Sequence, residues 1–88
     1  GGKSLLPSGI REVRGQFGHG DSVVVVNEWS EELGVGMVNY DSGDIRKIMG
    51  VKTTEIESIL GFRHDDEVIH RDNLVITRNL GEGETVCL

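Results

Sequence analysis

The triplet His70-Arg71-Asp72 carries the most direct catalytic meaning in this sequence. In phosphoryl-transfer enzymes of the protein-kinase type it presents an aspartate to the attacking hydroxyl, and an asparagine five residues further on holds a metal ion. Thr77 stands at that place here, and no glycine-rich loop, strand lysine or Asp-Phe-Gly segment accompanies the triplet. It reads instead as a polar turn between two strands. Gly15, Gly18 and Gly20 give G-x-x-G-x-G, and Gly34 with Gly36 lacks a third glycine at the required spacing, so neither set is a phosphate-binding loop. His19, His64, His70 and Cys87 have no metal-ligand spacing, and Asp65, Asp66 and Glu67 are consecutive and cannot all face one ion. No strained G-x-S-x-G elbow is present. No catalytic, cofactor-binding or metal-binding residue is therefore predicted, and the chain by itself is not expected to be an enzyme.

The elements that must position these residues are short. Thirteen glycines and a single proline punctuate the chain, with turn signals at residues 7–9, 15, 18–21 and 81–83. Ile10, Glu12 and Arg14 alternate with Arg11 and Val13 in a weak strand, and the valine run 23–26 predicts a strand buried on both faces. A polar turn over 29–32 leads into residues 33–40, where two glycines predict a strand that bends or bulges and closes a hairpin with the valine strand. The period then becomes helical. Asp41 or Ser42 caps a helix with Ile45, Ile48 and Met49 on one face, stopped by Gly50. Thr54 and Glu57 have the spacing of a capping box for a second helix, with Ile56, Ile59 and Leu60 as its apolar stripe and Gly61 as its stop. These six apolar residues are predicted to pack onto Val24 and Val26 or their alternates. Residues 67–70 and 73–76 read as two further strands, and residues 77–88 as a carboxy-terminal tail, with Cys87 an exposed thiol.

Eighty-eight residues make one domain, and hydrophobic and charged contents of 36% and 27% are those of a folded globular chain. Short, glycine-rich strands lose their edges by closing into a barrel, so the predicted class is mainly β (α+β): a β-barrel or pseudobarrel with two short helices. The longest apolar run is far below the ~20 residues of a membrane-spanning helix. The amino end lacks a basic segment followed by an apolar one, and the lone cysteine fits a reducing compartment. No membrane partner is predicted, and the expected location is cytoplasmic.

Five segments in order carry a resemblance: residues 2–7 (Gly-Lys-Ser-Leu-Leu-Pro), Gly20-Asp21 before the valine run, Val38-Asn39-Tyr40, Glu55-Ile56 with Ile59-Leu60-Gly61, and residues 67–74 (Glu-Val-Ile-His-Arg-Asp-Asn-Leu). Together they resemble the carboxy-terminal PUA domain of bacterial glutamate 5-kinase, over residues 1–76. The resemblance implies a non-catalytic accessory or regulatory domain. The kinase domain it serves would lie upstream, binding ATP, Mg²⁺ and glutamate and making γ-glutamyl phosphate for proline biosynthesis. That upstream domain and a homo-oligomer are the implied partners. Domains of this family ordinarily begin with one more strand and helix, read from a V-D-x-G-A segment that this sequence does not contain. The missing elements would leave an unpaired strand edge, met either by a second copy or by rearranged termini. PUA domains elsewhere bind RNA, through a face represented here by Pro7, Gly9 and Ile10. Lys47, Lys52 and Arg63 are the RNA-contact candidates, but nine basic against fifteen acidic residues, a net charge of −6, disfavour phosphate at long range. Of the four aromatics, Trp29 is predicted exposed, and Phe17 and Phe62 packed.

Overall fold

β-branched side chains stiffen the backbone into an extended form, and the valine run becomes the spine of the sheet. The computed structural model describes residues 3–78 and 85–88. Its strands are β1 (Ile10–Glu12), β2 (Ser22–Val26), β3 (Glu32–Met37), β4 (Leu74–Ile76) and β5 (Val86–Cys87), in the order β1-β5-β2-β3-β4. Helices α1 (Ser42–Ile48) and α2 (Ile56–Leu60) lie between β3 and β4 in the chain, giving the expected PUA-like α+β class of curled sheet with two short helices. β2 and β3 form the predicted hairpin, with Val24 opposite Val35 and a register shift between Val25 and Val26. Its turn is held by the buried Asn27, whose side-chain oxygen accepts from the amides of Trp29 and Glu31, each at 3.0 Å. Trp29 is exposed, as predicted.

The valine strand is not buried on both faces. Val23 and Val25 point into the core, whereas Val24 keeps 46% of its surface exposed, because among the described residues no layer covers the outer side. Gly34 and Gly36 serve close packing more than curvature. A Cβ on Gly36 would stand 2.7 Å from Ile69 Cγ2 and 2.9 Å from the carbonyl oxygen of Asn73. Gly36→Ala should therefore cost about 1–3 kcal/mol through overpacking, whereas Gly15→Ala, with nothing within 4 Å of the added carbon, should be near neutral. Urea denaturation of the pair is the check, and equal midpoints would show that the chain gives way at Gly36.

α1 begins as predicted, with the Asp41 carboxylate accepting from the amide of Asp44 at 2.7 Å. Ile45 and Ile48 are fully buried, and Gly50 (φ 80°) ends the turn. The capping box expected at Thr54 and Glu57 does not form. A 3-10 turn (Thr53–Glu55) runs directly into α2, and the amide of Ile56 bonds to the Thr53 carbonyl, so no side-chain cap is needed there. With only five residues, α2 buries Ile56 completely and Leu60 in part, leaving Ile59 42% exposed instead of in the core. Gly61 stops it in the left-handed region, φ 82°. Residues 67–70 are not a strand. Val68 and Ile69 are buried, but they make only an isolated bridge, Leu5 to Ile69, as the segment crosses from Leu5 to Asn39.

The largest correction concerns the carboxy terminus. Residues 79–84, including the turn signal at 81–83, lie outside the described residues, but β5 sits inside the sheet, parallel to β1 and antiparallel to β2. Val86, Cys87 and Leu88 are buried, so Cys87 is not an exposed tail thiol. The physical reason is edge pairing: β1 and β2 have open edges facing each other, and the chain's own end fills the slot between them.

Candidate functional site

In both motifs weighed from the sequence a backbone amide is bonded within the chain. His70 caps a 3-10 turn (Arg71–Asn73), its Nδ1 accepting from the amide of Asp72 at 3.1 Å, which leaves the triplet a structural turn. In the glycine-rich loop the amide of Gly18 donates to the Asp21 carboxylate at 2.8 Å, so a side-chain anion of the chain occupies the donor that a phosphate would take.

The cationic candidates lie on the helical side. Lys47 is in the last turn of α1, Lys52 precedes the 3-10 turn before α2, and Arg63 follows the Gly61 stop. All three are exposed, and Arg63 is paired with Asp66 at 3.3 Å, which sets part of its charge against a carboxylate. Glu55 and Glu57 stand on the same segment, so the surface is mixed in sign.

What charge counting misses is an aromatic cluster next to Arg63. His64 stacks on His19 with ring centroids 4.7 Å apart, and meets Phe62 at 4.8 Å and Tyr40 at 5.2 Å. Phe62 keeps 39% of its surface exposed, against the expectation that it packs. Tyr40 anchors the group from beneath. Its buried hydroxyl donates to the Asp65 carbonyl at 2.6 Å and accepts from the amides of His64 and Asp65, each at 3.0 Å. Spacing alone could not reveal the cluster, since His19 and His64 are far apart in the chain and meet only once the turn at residues 18–21 is brought beside the segment after α2. The exposed rings offer a flat stacking face and the arginine a cation, the two components of base stacking. Among the described residues, no group of three or more His, Cys, Asp or Glu side chains is placed to hold a metal ion, and no helix is long and apolar enough to cross a membrane.

Two carboxyl groups on the same segment, Asp65 and Glu67, are shifted in opposite directions. A hydrogen bond between them holds Asp65 below the ordinary carboxyl range and pushes Glu67 above it, with burial adding to the rise at Glu67. The signs fix the pH dependence. Glu67, raised in the folded chain, contributes stability that is complete below the ordinary glutamate value and lost as pH rises through its folded value. Asp65, lowered, contributes stability that is lost as pH falls through its folded value. The pair should therefore stabilise most around the ordinary carboxyl values of ~3.9–4.3, with Asp65 ionised and Glu67 protonated. Carboxyl-carbon NMR should show Glu67 titrating above Asp65 by more than model peptides do, and Glu67→Gln should abolish the loss on the alkaline side. Coincident titration at ordinary values would refute the shared proton.

The curled five-stranded mixed sheet, with two short helices between its third and fourth strands, is that of a PUA-like α+β module. Residues 1–60 match the model of the PUA domain family, and the chain belongs to that family. Its similar proteins are more particular. It is 57% identical over 75 residues to the glutamate 5-kinase of Caldanaerobacter subterraneus subsp. tengcongensis, and 49% identical over 75 residues to that of Thermus thermophilus, covering 85% of this chain and 20% of each relative. The glutamate 5-kinase of Teredinibacter turnerae is 54% identical over 76 residues, covering 86% of this chain and 20% of the relative. The chain thus spans about a fifth of the length of the curated relatives it matches.

Proposed function

We propose that this chain is the carboxy-terminal accessory domain of a glutamate 5-kinase, with a regulatory or oligomer-organising part in the ATP-dependent phosphorylation of glutamate to γ-glutamyl phosphate. ATP and Mg²⁺ belong to the kinase domain upstream, and this domain supplies no reacting group. The observation that carries the reading is the 57% identity over 75 residues to a glutamate 5-kinase of which those residues are only 20%. Calorimetric titration of the 88-residue chain with Mg-ATP should give no saturable heat, while the polypeptide that includes the upstream segment should bind Mg-ATP and phosphorylate glutamate. A stoichiometric heat from the chain alone would overturn the assignment.

A second reading, an RNA-binding PUA module, is favoured by one observation: the exposed Phe62 and the stacked His64 and His19 lie next to Arg63. The net charge of −6 opposes it. Affinity for transfer RNA at ~0.15 M salt is expected to lie in the non-specific range of about 10⁻⁴–10⁻⁶ M. Submicromolar, salt-sensitive binding, lost on changing Lys47, Lys52 and Arg63 to Glu, would promote this reading over the first.

A further inference from the structure

Among the described residues, the outer face of the hairpin sheet carries exposed valines that no layer covers. Antiparallel partners share a face, so Val24, Val35 and Val75 form a row across β2, β3 and β4, with Met37 opposite Ser22 in the same layer. Val75 is 66% exposed, Val24 46% and Met37 40%. In a chain that is 27% charged, three valines in a row across three strands, with Glu32 opposite Val26 at the end of the hairpin, give the apolar centre and charged rim of an interface. Val75 and Met37 also line a shallow groove of about 300 Å³ floored by Gly36 and bounded by Asp72 and Asn73. Exposed acids adjoin the face, with Asp21 before Ser22, Glu32 at the start of β3 and Asp72 at the groove, against the cation Arg71.

Size decides between the occupants. β2, β3 and β4 have five, six and three residues, and at ~3.4 Å per residue and ~4.8 Å between strands they make a face of about 230 Å². A stable interface between separate chains buries about 800 Å² on each partner, and two copies at −6 each repel. A covalently tethered neighbour does not need that area, because the linker holds it at an effective concentration in the millimolar range. The relatives supply such a neighbour, since four-fifths of their length lies outside the matched region. We infer that the Val24–Val35–Val75 face is the seat of the kinase domain of the same polypeptide, which would present an apolar patch rimmed by Lys or Arg. This rests on the accessory-domain reading proposed above.

Met37 is a built-in probe, because peroxide converts an accessible thioether to its sulfoxide far faster than a covered one. In the full-length polypeptide Met37 should be oxidised several-fold more slowly than in the isolated 88-residue domain, and Val75→Lys should restore the fast rate in the full-length protein. The partly buried Met49, away from this face, should behave alike in both, and an unchanged melting temperature of the isolated Val75→Lys domain will show that the fold is intact. Equal Met37 rates in both forms would overturn the inference. So would protection of the isolated domain that grows with its own concentration, which gives the face to a second copy, or protection that needs added transfer RNA, which gives it to nucleic acid. A full-length protein that phosphorylates glutamate but leaves Met37 open sinks the docking face alone, and one that does not phosphorylate glutamate sinks the accessory-domain reading itself.

Discussion

Ile56→Ala should destabilise the domain by about 2–5 kcal/mol, and Ile59→Ala, three residues along the same helix, by well under half as much. Ile56 is completely buried among a core that includes Ile45, Ile48 and Tyr40, so truncation leaves a cavity that neighbouring side chains on short elements are poorly placed to fill. Ile59 is 42% exposed and loses only part of a transfer term. A chain of 88 residues is stable by about 4–13 kcal/mol at 0.05–0.15 kcal/mol per residue, so the loss at Ile56 removes a large fraction of the total. Each kcal/mol is worth about 4–8 °C of melting temperature in a domain of this size, which places Ile56→Ala some 10 °C or more below the parent. Thermal unfolding followed by circular dichroism decides the matter. Equal melting temperatures for the two variants would mean that α2 does not sit on the core by its first turn.

The contrast between these two isoleucines shows what the sequence made legible. Local punctuation was readable: Asp41 as a cap, Gly50 and Gly61 as stops, and a polar turn between β2 and β3, because each rests on hydrogen bonds or dihedral preferences within a few residues. Long-range facts were not. Ile59 fits a helical stripe, but the stripe is wider than a five-residue helix can bury. The valine run has strand character at every position; alternation turns Val24 to the outer side, where no layer of the described residues covers it. The two glycines of β3 look like bending points, yet what requires them is the carbonyl of Val75 beside Gly34, and Ile69 and the carbonyl of Asn73 beside Gly36, over thirty residues away in the chain. At the candidate site the cations could be counted, while the partner that shares Arg63's charge and the stacked His19–His64 pair came only with tertiary structure.

The hardest element to foresee is also the one whose loss should matter most. β5 has two residues, too few to show any periodicity, and follows a polar stretch, so it resembles a tail. Within the sheet it is paired on both sides, with Val86 opposite Ile10, and Cys87 opposite Glu12 on one flank and Val26 on the other. The amide of Leu88 donates to the Glu12 carbonyl at 3.0 Å, and the amide of Arg14 to the Leu88 carbonyl at 2.7 Å. Side-chain contacts span the slot as well: Arg11 pairs with Glu28, and Arg14 donates to the Ser30 hydroxyl at 2.6 Å and to the Glu28 carbonyl at 3.4 Å. Deleting Val86, Cys87 and Leu88 exposes the apolar surface they cover and opens both β1 and β2. At about 1.5–3 kcal/mol for each fully buried aliphatic side chain, Val86 and Leu88 alone account for about 3–6 kcal/mol, the same order as the whole stability of a small domain. The chain ending at Thr85 should therefore be largely unfolded at room temperature, or associate through the two freed edges. Amide dispersion in a two-dimensional NMR spectrum and sedimentation velocity distinguish these outcomes. The parent offers a gentler reading of the same contact, since the buried Cys87 thiol should react with an aromatic disulfide reagent only as fast as β5 leaves the sheet. A shortened chain that keeps the parent's dispersion, monomeric size and melting temperature would show that β1 and β2 close on each other without the terminal strand.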